Sequence, residues 1–247
     1  MAMFDNRLNL DLAFYKTNAF DQIVEVELSK ATGANFIYLN GGEIQNKGVE
    51  VALGYDIIRK NNFTWNASVN WAKNVSEVIS LPEGIDNYQI GSYQGGVSSN
   101  ATVGQPYGVL RGTGFQYLNG RRVIGSTGAW PGLPVAIADQ VIGDPNADWN
   151  GGLLNSISYK GLRFSFLIDV SHGGDIFSLD MYYGEATGIP KHTAGNNELG
   201  NPIRNSLADG GGILYEGLLS HGSENTTRAA ADTYRGAYYW GSATQNP

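Results

Sequence analysis

The sequence contains no cysteine, no apolar run approaching the roughly 20 residues a membrane helix needs, and no Lys/Arg cluster interleaved with aromatics. Each absence excludes something. Without cysteine there is no disulfide framework and no thiolate metal or redox site, which leaves cytosol, export or a bacterial envelope open. A spanning helix is excluded. The 16 basic residues stand against 23 acidic ones, for a net charge of −7, so the electrostatic footprint of a nucleic-acid binder is missing and nucleic acid is set aside as a partner. Met1-Ala2-Met3-Phe4 has neither the basic start nor the apolar core of a signal peptide.

What is abundant is glycine, 34 of 247 residues, about twice the usual ~7% and hard to reconcile with a helix-rich fold. A membrane strand needs only ~9 to 11 residues and hides in a two-residue period, so the missing hydropathy peak leaves a barrel open. That period is present. Between Arg7 and Lys16, Leu8, Leu10, Leu12 and Phe14 alternate with Asn9, Asp11 and Ala13. Val49, Val51, Leu53, Tyr55 and Ile57 alternate with Gly48, Glu50, Ala52, Gly54 and Asp56. After a short polar connection at 59–62, Phe63, Trp65, Ala67, Val69 and Trp71 alternate with Thr64, Asn66, Ser68 and Asn70. A second hairpin runs from Gly151 through Leu153, Ile157 and Tyr159, turns at Lys160-Gly161, and returns through Leu162, Phe164, Phe166, Ile168 and Val170. Leu154, Asn155 and Leu167 break its alternation. The spacing predicts antiparallel strands over 7–16, 47–58, 63–73, 151–159 and 162–170, with long loops at 17–46, 74–150 and 171–247.

In sequence order such strands put both tight turns at one end and all three long connections at the other, the layout of an outer-membrane barrel. Phe63 and Trp71 lie eight residues apart, roughly 26 Å along a strand and about 20 Å of membrane normal at a ~40° tilt. That suits the aromatic girdles of a ~25 Å apolar band. The competing architecture is a secreted β-sandwich whose aromatic loops stack on sugars, a carbohydrate-binding module; its strands average nearer five or six residues.

The stretch Gly42-Glu43-Ile44-Gln45-Asn46-Lys47-Gly48-Val49-Glu50 resembles the G-E-x-x-N-K-G-x-E segment of the SusC/RagA family of TonB-linked outer-membrane transporters. Two further blocks agree. Val103-Gly104-Gln105-Pro106-Tyr107-Gly108, with Gly112 and Phe115 behind it, resembles the family's G-x-P-x-G segment. Ile142-Gly143-Asp144-Pro145-Asn146-Ala147-Asp148-Trp149, followed by Gly151-Gly152 and Tyr159-Lys160-Gly161, resembles its G-D-P-N-P-D block, with Ala147 where the family usually has Pro. From 185 onward the likeness is loose, carried by Gly211 to Gly217 and Asn225-Thr226. The resemblance implies an all-β fold, an antiparallel transmembrane β-barrel segment, incomplete, with long external loops. It also implies a signal peptide, plug and TonB-contacting part before Met1 and closing strands after Pro247, within a barrel of about 22 strands. The implied function is import of oligosaccharides or peptides, with a SusD-like surface lipoprotein and TonB as partners, outer-membrane lipid around the barrel, and no cofactor.

Sharper chemical motifs fade on inspection. Asp144-Pro145-Asn146-Ala147-Asp148 opens like an EF-hand loop, but Trp149 replaces the required Gly and Asn155 the Glu. Gly112-Thr113-Gly114 begins a dinucleotide fingerprint, yet Tyr117 stands where its third Gly belongs. His172, His192 and His221 fall in expected loops without a second ligand at helical spacing. Asp169 and Asp175 lack the fixed separation that sugar hydrolysis requires of a carboxylate pair. The polar set on the other side of the alternation is the candidate site instead: Asp11, Glu50, Asp56, Asn66, Ser68, Asn70, Arg163 and Asp169 are expected to face a wet lumen.

Overall fold

Where apolar and polar side chains alternate, the backbone of the computed structural model, which describes residues 2–27, 33, 36–93, 96–128, 131–189 and 191–231, runs extended. The first strands are β1 (Ala2–Met3), β2 (Leu8–Phe20), β3 (Ile23–Glu27), β4 (Phe36–Asn40), β5 (Glu43–Lys60) and β6 (Phe63–Ser80). They are followed by β7 (Asn87–Tyr93), β8 (Val97–Thr102), β9 (Val109–Phe115), β10 (Tyr117–Leu118), β11 (Arg121–Arg122), β12 (Ala136–Gly143), β13 (Trp149–Tyr159) and β14 (Leu162–His172). One α-helix occurs among the described residues, α1 (Leu179–Thr187), whose Met181 N–H donates to Ser178 Oγ at 3.2 Å. The chain divides into two compact units, the first drawn from Met1–Tyr88, Ala101–Gly108 and Pro145–Gly174, the second from the remainder.

The first unit is built on a six-stranded sheet in the order β1-β2-β5-β6-β13-β14, antiparallel at every pairing. Lys160 and Gly161 link β13 to β14 with φ of 44° and 91°, the two positive values that a two-residue primed turn needs. The Lys160 N–H donates to the Asn62 carbonyl at 3.1 Å, so the two tight turns lie side by side at one end. The opposite end carries Phe20, Glu43, Ser80, Trp149 and His172, where the long connections leave.

The strands outrun the sequence pattern, most of all β5 and β6, which reach 18 residues each against the expected 47–58 and 63–73. The reason is physical. Beyond Trp71 both faces carry polar groups, so the alternation fades while backbone pairing continues from Val49↔Lys73 to Glu43↔Ser80. A register shift between Asp56 and Ile58 leaves Ile57 as an extra residue, a bulge near the tight-turn end, and Ile58 rather than Ile57 pairs with Trp65. Leu154, Asn155 and Leu167 keep the period after all, since β13 and β14 pair without interruption from Trp149↔His172 to Tyr159↔Leu162.

The three connections expected as loops carry structure of their own. In 17–46, β2 and β5 extend the sheet and β3 pairs β4 as a separate hairpin. In 74–150 a four-stranded sheet forms in the order β12-β9-β8-β7. Gly112 and Gly114 lie within β9 and pair β12, so the dinucleotide-like Gly112-Thr113-Gly114 is strand, with no helix behind it. In 171–231 there are α1, two short 3-10 turns and a set of isolated bridges; residues 232–247 lie outside the described part. His172, expected in a loop, ends β14 because the ladder continues two residues past Val170.

The second unit holds most of the buried apolar side chains: Val97, Val109, Phe115, Val123, Ile124, Leu133, Leu218 and Ala229. Its turns are fixed by amide side chains standing in for backbone. Asn225, 8% exposed, donates to the carbonyls of Tyr215 and Thr227 at 2.9 and 3.1 Å and accepts from the Thr227 N–H at 2.9 Å. Asn197 does the same for Gly210, Leu199 and Asn201. A Cβ on Gly211 would sit 2.0 Å from the Asn205 carbonyl oxygen, and one on Gly217 would sit 2.5 Å from that of Arg122, so neither position has room for a side chain.

Candidate functional site

Directly opposed residues of an antiparallel ladder share a face, so the register sorts every side chain of the six-stranded sheet. One row crosses four seams as Asp11–Ala52–Asn70–Gly152–Asp169. A second runs Asp56–Asn66–Ser156–Ser165, and a third Arg59–Thr64–Ser158–Arg163. Ser68 lies between Gly54 and Leu154, and Glu50 between Ala13 and Ala72. All eight polar candidates therefore occupy a single face. Below the Glu50–Ala72 row, the large apolar side chains on that face are the opposed pair Leu154 and Leu167.

The opposite face carries Leu10–Leu53–Val69–Leu153–Ile168, Leu12–Val51–Trp71 and Trp65–Ile157–Phe164. Much of it is bare: Phe14 is 75% exposed, Val69 43% and Phe164 63%. One polar side chain, Asn155, stands in this apolar field, and its Oδ1 accepts from the Trp65 indole N–H at 3.1 Å. The pair satisfies the indole N–H among apolar neighbours. Rings mark both limits of the field. Phe63 and Tyr159 meet at 6.4 Å near the tight turns, and Trp149 stacks on His172 at 5.4 Å near the long connections. The ten steps from Tyr159 to Trp149 span roughly 33 Å of strand and about 25 Å of membrane normal at a ~40° tilt, the height of a barrel's apolar band.

On the polar face, small residues make room for the functional groups. Gly152 lies between Asn70 and Asp169, and a Cβ there would come within 2.4 Å of Asn70 Oδ1 and 2.9 Å of Asp169 Oδ1. A shallow depression opens beside them, lined by Asp11, Glu50, Ala52 and Asn70. Nearer the tight turns the Asp56 carboxylate accepts from Asn66 Nδ2 at 2.8 Å and pairs with Arg59. Gly48 performs the same service for a third group: Tyr15 crosses it and donates from its hydroxyl to Asn74 Oδ1 at 3.1 Å. That bond accounts for a glycine inside the Asn46-Lys47-Gly48 motif.

The other two motif blocks meet at the long-connection end of this unit. Beyond β13, the strand β6 is completed by residues 104 and 105, whose Gly104 N–H donates to the Val78 carbonyl while the Val78 N–H donates to Gln105. Val78 is fully buried as a result. Asn146 of the third block donates to the Tyr107 carbonyl at 3.0 Å. Asp148 is spent on its neighbours, with its N–H on the His172 carbonyl and its carboxylate 3.5 Å from His172 Nδ1. In the second unit Asp144 and Asp175 exchange two backbone-mediated bonds of 2.7 Å, since the Asp144 N–H donates to the Asp175 carboxylate and the Asp175 N–H to the Asp144 carbonyl. These carboxylates organise turns, and among the described residues no cluster of metal-ligating side chains occurs.

No known family profile matches the chain. Individual proteins do. TonB-dependent receptor P3 of Formosa agariphila is 27% identical over 232 aligned residues, covering 85% of this chain and 21% of that protein. TonB-dependent receptor P39 of the same organism is 26% identical over 224 residues, covering 72% of this chain and 21% of the relative. The RagAB peptide transporter superposes with a TM-score of 0.57 at 22% identity, and its closed-closed state with 0.58, each covering 74% of this chain and 21% of the other. The chain is similar to TonB-dependent receptors in sequence and to the RagAB transporter in fold. Its fold is all-β and antiparallel, an open barrel-type segment like the part of RagAB it superposes on, with β1 and β14 at the edges of the six-stranded sheet. The chain spans about a fifth of the length of the relatives it matches. Those relatives are named as receptors and a transporter rather than as enzymes.

Proposed function

We propose that this chain is the wall segment of a TonB-dependent outer-membrane transporter for large nutrients, with the apolar face against lipid and the polar face toward the lumen. Asp11, Glu50, Asp56, Asn66, Ser68, Asn70, Arg163 and Asp169 then line the interior, where water and a plug tolerate charge. The observation that carries this reading is the exposed, aromatic-bounded apolar face opposite a continuous polar row. A secreted sugar-binding sandwich would bury such a face against a second sheet, and Phe14, Val69 and Phe164 are open. The cargo class is oligosaccharide or peptide, and the RagAB likeness favours peptide. TonB supplies the drive and a SusD-like surface lipoprotein acts as the lid. No covalent chemistry is assigned to the chain.

Nitroxide labels at Val69→Cys and Ser68→Cys of the full-length protein in bilayers test the polarity. Oxygen should relax the label at 69 more than a water-soluble nickel chelate does, with the reverse at 68. Equal accessibility would refute the assignment. Uptake of labelled peptides and of labelled oligosaccharides by cells with and without the protein separates the two cargo classes, and import of neither would refute the transport reading.

A further inference from the structure

The apolar face does not end in neutral residues at its long-connection limit. The register sets Lys16 directly opposite Lys47, and Lys73 opposite Val49, one step beyond the row that holds Trp71. All three lysines are exposed, and among the described residues none of their ammonium groups makes a hydrogen bond or ion pair. Opposed residues of this kind bring Cβ atoms within about 5 Å, and like charges so placed weaken a sheet. Lys73 and Glu77 are the diagonal neighbours of Lys47 on the same face, so the patch carries three positive charges and one negative within a chain of net −7. Glu43, farther out, is already bonded by Asn18.

Position narrows the counter-ion. Aromatic girdles lie at headgroup depth; Lys73 stands in the row of Trp149, and Lys16 and Lys47 one same-face row beyond it, where headgroup phosphates lie. We propose that Lys16, Lys47 and Lys73 form a site for the phosphate groups of an anionic lipid in the leaflet on the long-connection side. The proposal rests on the barrel reading above. Charge complementarity selects a net-anionic phosphorylated headgroup over a zwitterionic one, and the paired spacing of Lys16 and Lys47 suits one phosphate held from both sides. The like-charge pair is then a ligand site left uncompensated in the protein alone, rather than a flaw in the sheet.

The test uses the full-length protein in phosphatidylcholine vesicles titrated with bisphosphorylated lipid A, beside its dephosphorylated counterpart and inorganic phosphate. Lys16→Gln/Lys47→Gln should weaken binding of the phosphorylated lipid about twenty-five-fold, roughly fivefold for each lysine. The dephosphorylated lipid should bind parent and variant alike. In phosphatidylcholine alone the variant should be at least as resistant to denaturant as the parent, because the repulsion is gone; a less resistant variant would show that the lysines serve the fold and overturn the site. Equal affinity of parent and variant for the phosphorylated lipid would also overturn it, as would full displacement of that lipid by inorganic phosphate. The nitroxide at Val69→Cys, read on the same vesicles, separates the two levels. An oxygen-accessible label with unchanged lipid binding sinks the lysine site alone, whereas a nickel-accessible label sinks the barrel reading beneath it.

Discussion

Replacing Gly48 by alanine tests the structure at its tightest crossing. A Cβ at this position would lie 2.4 Å from Tyr15 Oη, 2.5 Å from Tyr15 Cζ and 2.6 Å from the Lys73 carbonyl oxygen. Ordinary carbon contacts sit at about 3.5 to 4.0 Å, so the ring must withdraw by more than 1 Å. Withdrawal breaks the Tyr15–Asn74 hydrogen bond of 3.1 Å, a loss of about 1 kcal/mol. The Lys73 carbonyl belongs to β6 beside the β5–β6 seam, so the ladder must shift as well, and overpacking of that kind costs typically 1–3 kcal/mol. The expected loss is about 2–4 kcal/mol, read from guanidinium titration of the full-length protein folded into phospholipid vesicles. Tyr15→Ala in the same background removes the ring but leaves the carbonyl, so the double variant should recover part of the loss. Full recovery would place the whole strain in the ring, and a Gly48→Ala loss under about 0.5 kcal/mol would refute the crossing itself.

Three further outcomes follow from the geometry. Val69→Arg should cost roughly 2–4 kcal/mol in the same titration, since it sets a guanidinium at the middle of the apolar face, while Ser68→Arg costs much less; equal losses would reverse the two faces. Asn225→Ala leaves the carbonyls of Tyr215 and Thr227 without their shared donor, and should raise hydrogen exchange across 213–229 by the equivalent of about 1–3 kcal/mol; unchanged exchange would count against its organising role. Glu224 is bonded by the Arg121 guanidinium, which holds its carboxyl below the usual 4.5. A lowered carboxylate stabilises above its unfolded value and loses that contribution as pH falls through the folded one. The extra protection of the parent over Glu224→Gln around Leu218 should therefore shrink as pH falls below 4.5; a pH-independent difference would contradict the pairing.

Much of the sheet was legible because an apolar and a polar surrounding impose opposite demands on adjacent residues, and the run from Val49 to Asp56 obeys both. Legibility failed where that contrast failed. Past Trp71 and Phe14 both faces are polar, so the upper halves of β5 and β6 leave no alternation to read. The bulge at Ile57 follows two consecutive isoleucines, and nothing in that pair says which one leaves the ladder. Leu154, Asn155 and Leu167 read as faults because each is explained by a partner across a seam: Leu154 by Leu167, Asn155 by the Trp65 indole. The four-stranded sheet inside 74–150 was hidden by short strands rich in small residues, such as Val109–Phe115 with its two glycines. The polar candidates fall on one face by the same two-residue rule, whereas the closeness of Asn70 to Asp169 depends on Gly152 and on a pairing between distant segments.

The route between β6 and β13 has a consequence for how such a protein diversifies. The chain leaves the sheet after Ser80 and returns at Trp149, a detour of 68 residues (81 to 148), whereas the one from Phe20 to Glu43 is 22 residues (21 to 42). Closure entropy grows only with the logarithm of length, so the longer excursion costs about 1 kcal/mol more than the shorter, and the rungs between β6 and β13 are the same rungs a two-residue turn would serve. Whole sheets can thus be inserted at this seam, lost or exchanged between lineages with little effect on the stability of the wall. The expense falls on assembly time, because β13 must find β6 across the intervening segment while β5 and β6 zip from a turn of two residues. The seam after Ser80 is therefore where grafting a foreign segment into the connection has the best prospect of success.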